Sequence, residues 1–294
     1  MNREILELAG SILKKDGLKS TYIDSVKIFK TTKNSPKQPL NYDFCLVFVL
    51  SGEKIGYLDE KFFKYNSQNY LVIPLTLPFE CETRATEKEP FICILISIDR
   101  KMMCEIIESI SKERDREFKS SELAVFSDSV TEDIESVIYR LLKISSSKEE
   151  SKILKISILK ELYYRIAVGK NSYFLHKMFL KDTNEGKISK ALKEIHKNYK
   201  SSLDITKLAK SVDMSISSFH THFKRVTSYT PLQYIKKVRL NRAKNLITIH
   251  KYRVNETASK VGYESNSQFS RDFKNYFGYP PKEAKPSFEE FSIS

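Results

Sequence analysis

The chain has 294 residues, 40% of them apolar and 30% charged, and a formal net charge of +13. That composition fits a soluble globular protein with room for two domains, and it offers no apolar run of about 18 residues that would cross a membrane. The charge is uneven: residues 183–294 carry 21 Lys+Arg against 10 Asp+Glu, while residues 1–182 carry 29 against 27, so the excess points to a polyanion-binding C-terminal third.

The N-terminus, "MNREILELAG", places acids early and holds no signal-like apolar segment, so a cytoplasmic location is expected. Residues 1–20 read as helix, with Ile5, Leu8, Ile12 and Leu13 at helical spacing. From Thr21 to Ile98 the pattern changes to short β-branched and aromatic runs, "SVKIF", "DFCLVFVLSG", "KIGYL", "NYLVIPL" and "PFICILISI". Ser51-Gly52, Asn66-Ser67, Pro74, Pro78 and Pro90 punctuate them, which predicts a barrel or sandwich. Phe44, Phe48, Phe79 and Phe91 are large enough to fill such an interior. Glu80, Glu82, Glu87 and Glu89 alternate along a strand and loop and read as one solvated face.

After Asp99 the period becomes helical. "KMMCEIIESI" is followed by "SVTEDIESVIYRLLKI", with Thr131 as cap and Ile134, Val137, Ile138, Leu141 and Leu142 as its apolar stripe. "KILKISILKELYYRIAVG" then stops near Gly169, and the two long helices suit an antiparallel pair that packs on the barrel, on a second subunit, or on both. "KERDREFKSSE", residues 112–122, reads as an exposed charge run. Asp182, Thr183, Asn184 and Gly186 form the candidate linker, beyond which the chain is almost wholly helical.

Chemistry-bearing residues are sparse in the strand-rich half. Cys45, Cys81, Cys93 and Cys104 are too far apart for a Cys-x-x-Cys pair and read as buried small hydrophobes. All five histidines, from His176 to His250, lie outside residues 21–98, which excludes a His-based metal centre there. His220 and His222 are two apart and so lie on different faces of a helix. No nucleophile elbow, phosphate loop or dinucleotide fingerprint occurs. Neither a metal nor a cofactor is expected, and the chain does not read as an enzyme.

The last third contains a repeat. Counting from Ser215 and from Ser265, phenylalanines stand at +4 and +8 (Phe219 and Phe223; Phe269 and Phe273), and prolines at +16 (Pro231 and Pro281). An alanine and a valine three apart precede each origin: Ala209 and Val212, Ala258 and Val261. This spacing predicts a helix, a tight turn, a serine cap and a second helix whose phenylalanines bury against the first. The remaining faces are small and polar, as suits a DNA major groove. Between the copies, "PLQYIKKVRLNRAKNLI" predicts a helix of roughly 25 Å, with Leu232, Ile235, Val238, Ala243 and Leu246 inward and Lys236, Lys237, Arg239, Arg242 and Lys244 free. It separates the units by a distance on the scale of one DNA turn, about 34 Å.

"LAKSVDMSISSFHTHFKR", "TPLQYIKKVRLNRAKNLI" and "ASKVGYESNSQFSRDFKNYFGYPP" resemble the AraC/XylS transcription regulators, whose DNA-binding domain joins two helix-turn-helix units by a long helix. "LVFVLSGEK" and "FKYNSQNYLVIPLTLPFECETRATEKEP" look like the cupin-like N-terminal domain of one subgroup. The resemblance implies an α+β protein: residues 1–182 form a cupin-like β-barrel with flanking helices for regulation and dimerisation, and residues 183–294 an all-α domain with two helix-turn-helix units. It implies that Ser217, His220 and Thr221 in the first unit, and Asn266, Ser267, Gln268, Ser270 and Arg271 in the second, face bases, with Lys224 and Lys274 on phosphates. The implied partners are double-stranded promoter DNA, a small-molecule effector, RNA polymerase and a second copy of the chain. Asp213 and Ser228 depart from the family, standing where glycine is common; the second unit keeps Gly262 and Gly278. The first unit also lacks an arginine on its reading face, which ranks its base readout below that of the second. Two other readings are a DNA-binding protein with a thiol-based sensor or alkyl-transfer activity, which needs a low-pKa cysteine, and a non-specific architectural DNA binder.

Overall fold

In the computed structural model, which describes residues 3–42, 44–58, 61–111, 125–180 and 182–285, the strand-forming runs make ten strands in two antiparallel sheets. The charge run at 112–122 lies outside the described residues. The first sheet has the order β1 (Gly17–Ser20), β2 (Val26–Thr31), β9 (Phe91–Ser97), β4 (Cys45–Ser51), β7 (Asn69–Ile73), β10 (Phe126–Ser129). The second has the order β3 (Ser35–Tyr42), β8 (Leu77–Arg84), β5 (Glu53–Leu58), β6 (Lys61–Tyr65). Among the described residues the ladders do not run round a closed ring, so the cupin-like unit is two facing sheets.

The larger sheet is apolar on both faces because both are covered. Along β9, Phe91, Cys93 and Leu95 enter the core between the sheets, while Ile92, Ile94 and Ile96 face a helical layer. That layer consists of α1 (Arg3–Ile12), α2 (Arg100–Ser111), α3 (Glu132–Ser145) and α4 (Lys148–Ala167). Phe44 and Phe48 belong to the helical side, so of the expected interior fillers Phe91 alone is seen in the interior; the Phe79 side chain lies outside the described residues. Tyr42, Tyr65, Phe29 and Lys54 fill the interior with Phe91, and the Lys54 ammonium lies 5.5–6.0 Å from three of those rings.

One local expectation is corrected, and one strand appears where no element was expected. The first helix ends at Ile12, because Gly17 at φ +132° starts β1. The segment "SPKQPLNY" forms β3 despite Pro36 and Pro39; it is an edge strand with a register shift between Ser35 and Gln38, where a missing donor is tolerated. The expected helix pair holds. Thr131 caps α3 by accepting from the Ile134 N–H, all five stripe residues are buried, and Arg165–Asp133 and Arg140–Glu161 ion pairs tie α3 antiparallel to α4.

The chain then runs through α5 (Tyr173–Phe179) into α6 (Asn184–Asn198). The expected linker at 182–186 is the capped start of α6: the Thr183 hydroxyl accepts from Gly186 N–H at 3.0 Å. The first unit comprises α7 (Ile205–Lys210) and α8 (Ile216–Thr227), the connecting helix is α9 (Pro231–Thr248), and the second unit comprises α10 (Val254–Lys260) and α11 (Asn266–Phe277). The core between the sheets continues through Phe174 and Met178 into Ile188, Ile195, Phe219, Phe223, Tyr234 and Val238. The second unit has its own cluster, built on Leu240, Ala243, Ala258, Val261, Phe269, Phe273 and Phe277.

Candidate nucleic-acid interface

The second helix of each unit, α8 or α11, is set by the same three devices. Ser215 accepts from Ser218 N–H and Ser265 from Gln268 N–H, both at 3.3 Å, satisfying an orphan donor at each helix start. Phe219, Phe223, Phe269 and Phe273 are fully buried and hold one side of α8 and α11 against the protein. A left-handed residue then ends each helix, Ser228 at φ +64° and Gly278 at φ +84°, with its N–H returning to the carbonyl of Lys224 or Lys274.

The opposite sides face solvent. Ser217, His220, Thr221 and Lys224 are exposed on α8, and Asn266, Ser267, Gln268, Arg271 and Lys274 on α11; Ser270 is half-buried. The Thr221 hydroxyl is turned back to the Ser217 carbonyl at 3.0 Å. No acid opposes a phosphate from either helix surface: α8 contains none, and Asp272 of α11 is buried. Asp272 pairs with Lys236 at 2.9 Å and accepts from the Tyr263 hydroxyl at 3.3 Å. On α8, Arg225 is held by Glu185 of α6. His222 beside it is half-buried, and desolvation, then Arg225, lower its pKa while Glu185 opposes the shift.

The connecting helix starts with a reciprocal cap between Thr230 and Gln233 and with Pro231 in its first turn. Of its expected inward set, Ile235, Val238 and Ala243 are buried and Leu246 partly so, but Leu232 is 64% exposed. Tyr234 and Leu240 take the missing core positions. The basic residues are more engaged than their charge suggests. Lys237 lies 4.6 and 4.4 Å from the rings of Tyr229 and Tyr276, and desolvation lowers its pKa. Lys244 is buried beside Phe277, and Arg239 bonds three carbonyls. A periodic count cannot see this, because long basic stems bury while their heads find partners.

Tyr234 also joins the C-terminal helices to the sheets. Its hydroxyl donates to the Thr76 carbonyl between β7 and β8 and lies 2.8 Å from His196 Nε2 of α6. Burial, then Arg242 and Arg100, push His196 down to about 4, so the ring is neutral at pH 7 and the network assigns the Nε2–H tautomer. The signal for Tyr234 was a tyrosine one turn before Val238 on the buried stripe.

Cys45, Cys81 and Cys93 are buried and Cys104 is half-buried, and among the described residues no group of three or more His, Cys, Asp or Glu could hold a metal ion. No described helix is long and apolar enough to cross a membrane.

Paired helix-turn-helix units on a connecting helix, carried behind a two-sheet domain, define a DNA-binding regulator with an N-terminal regulatory half. The family description "AraC-type transcriptional regulator N-terminus" matches residues 22–173, and "Helix-turn-helix domain" matches residues 208–286. The chain belongs to the AraC-type transcriptional regulators. It is 31% identical over 102 residues to the Msm operon regulatory protein of Streptococcus mutans, a match spanning 35% of this chain and 37% of that protein. It is 26% identical over 164 residues to the lactose operon transcription activator of Staphylococcus xylosus, spanning 54% and 57%. ToxT from Vibrio cholerae shares the fold at 14% identity and TM-score 0.58, over 91% of this chain and 97% of that one. Another ToxT structure, bound to an unsaturated fatty acid, aligns with TM-score 0.56 at 12% identity over 92% and 95%.

Proposed function

We propose that the protein is a sequence-specific transcription regulator that reads double-stranded promoter DNA through α8 and α11 in successive major grooves. The observation that supports this most directly is the division of each reading helix into a fully buried phenylalanine side and an exposed polar side. Asn266, Ser267, Gln268, Ser270 and Arg271 read bases from α11, with Arg271 bidentate to a guanine; Ser217, His220 and Thr221 read from α8; Lys224 and Lys274 bind phosphates. Ser270, half-buried, contributes least. The protein works in the cytoplasm beside RNA polymerase, as a binding protein and not as an enzyme, and residue 183 begins its reading domain.

The N-terminal sheets regulate this reading through a small molecule or through self-association. The interior is filled, so an effector takes the open cleft of about 1120 Å³ at the sheet ends, where Asn34, Lys37, Glu53, Gln68, Arg84 and Glu89 converge. Self-association uses the outer face of α4, where Ile153, Ile156 and Tyr164 are exposed. A footprint on DNA selected from a random library, repeated over a salt series, tests the proposal. Two protected half-sites about 10 base pairs apart are expected, and equal affinity for all sequences would defeat it.

A further inference from the structure

Arg239 stands where the two units meet. Residues before it on α9, Tyr234, Ile235 and Val238, belong to the core shared with the sheets; residues after it, Leu240 and Ala243, belong to the second unit's cluster. Its guanidinium donates through Nε to the Tyr199 carbonyl at 2.7 Å and through Nη2 to the Ser201 carbonyl at 2.9 Å, both in the segment joining α6 to α7. Through Nη1 it donates to the Gly262 carbonyl at 2.9 Å, in the turn of the second unit. Three donors of one rigid planar fork are thus aimed at backbone of the α6–α7 segment and of the second unit's turn.

The backbones themselves also touch at this point. Gly262 has φ +85°, and a Cβ there would lie 2.3 Å from the Lys200 carbonyl oxygen and 3.2 Å from Arg239 Cζ. Tyr199, next to that carbonyl, packs against both clusters. Besides the connecting helix, the second unit touches the sheets where α11 meets β3, and contacts at one side alone leave it room to roll about the axis of α9. Carbonyl acceptors on main chain cannot swing away as side chains do, so the fork fixes the roll.

We infer that Arg239 is a positioning residue for DNA reading: it pins the turn of the second unit to the α6–α7 segment and thereby sets the half-site spacing that the protein accepts. This rests on the proposed reading of DNA by both units. The role differs from stabilising either unit, since each keeps its phenylalanine core without it. Lysine cannot replace the residue, because a single ammonium does not reach three carbonyls in fixed directions.

The test measures affinity of the full chain for DNA selected with the wild-type protein, and for the same DNA with one base pair inserted or removed between half-sites. For wild type the altered spacing should cost about tenfold or more, on the scale of a base-pair mismatch. For Arg239→Lys and Arg239→Met that penalty should shrink to about twofold, with each half-site footprint retained. Gly262→Ala, which crowds the Lys200 carbonyl, should weaken the spacing preference in the same way. If all three variants keep the wild-type penalty, or bind every spacing proportionally more weakly, the positioning role is wrong. A wild-type protein with no spacing preference would instead refute two-unit reading itself. Circular dichroism melts identify a variant that fails to fold, and the remaining two then decide.

Discussion

Asp213 and Gly262 each follow a valine just beyond the first helix of their unit, and both are left-handed, at φ +53° and +85°. Ser228 and Gly278 end the two reading helices with the same returning hydrogen bond, 2.7 and 2.8 Å long. The first unit therefore follows the backbone track of the second without its glycines, against a steric cost of about 1–2 kcal/mol for each left-handed non-glycine residue. The units differ in what holds them. The first shares its core with the sheets, whereas the second closes a small core of its own and meets the rest through α9, Arg239 and a contact of α11 with β3. A unit built into a large core tolerates poorer turn residues; a small, separate one keeps the glycines.

The largest test of that contrast removes an anchoring ring from each unit. Phe223→Ala should destabilise the protein by about 3–5 kcal/mol and lower one unfolding transition that carries sheets and first unit together. Phe273→Ala should produce a separate, earlier transition of the second unit. Calorimetry distinguishes the two, and a single transition lowered alike by both substitutions would erase the contrast.

Acid should discriminate next. His196 seats the first unit on the sheets and is neutral when folded, with its pKa pushed down to about 4, while in the unfolded chain it takes a proton near 6.5. The folded state keeps its full advantage above pH ~6.5 and loses it progressively down to about 4, by about 3 kcal/mol. Arg242 and Arg100 oppose the charged ring and no carboxylate contributes to the shift. Urea midpoints between pH 7.5 and 4.5 should fall more steeply for wild type than for His196→Gln; parallel curves would count against this seat.

Smaller effects separate the two reading faces. Arg271→Ala should lose about 1–3 kcal/mol of discrimination at one or two base pairs, while Lys274→Ala should weaken all sequences and lower the salt slope by about one. His220→Ala on α8 should cost less specificity than Arg271→Ala. Competition binding against single-base variants of the selected site measures all three. Smallest of all, Ser228→Gly should stabilise by about 0.5–1 kcal/mol, and Gly278→Ala, whose added Cβ meets nothing within 4 Å, should destabilise by a similar amount through backbone strain alone. Chemical denaturation reads both.

Much of this was legible because it is periodic and local. The phenylalanine pairs, the serine caps, the stripe of α3 and the strand runs of β4, β7 and β9 follow from spacing that a single element imposes on its own residues. The strand β3 was not legible, since Pro36 and Pro39 argue against a strand unless it is known to lie at an edge. Phe48 was misplaced because a strand covered on both faces gives no sign of which face is the interior.

By itself the sequence determined the two repeated units, their caps and anchors, the polar faces opposite them, and the basic surplus of the last third, because helix and turn chemistry act within about four residues. Only the tertiary structure decided that Asp272 turns inward to Lys236, that Tyr234 reaches Thr76, and that Arg239 holds carbonyls of the α6–α7 segment and of the second unit's turn. Those contacts join residues 23 to 158 positions apart, and a charge or hydroxyl gives no sign in sequence of which distant partner the fold will bring to it.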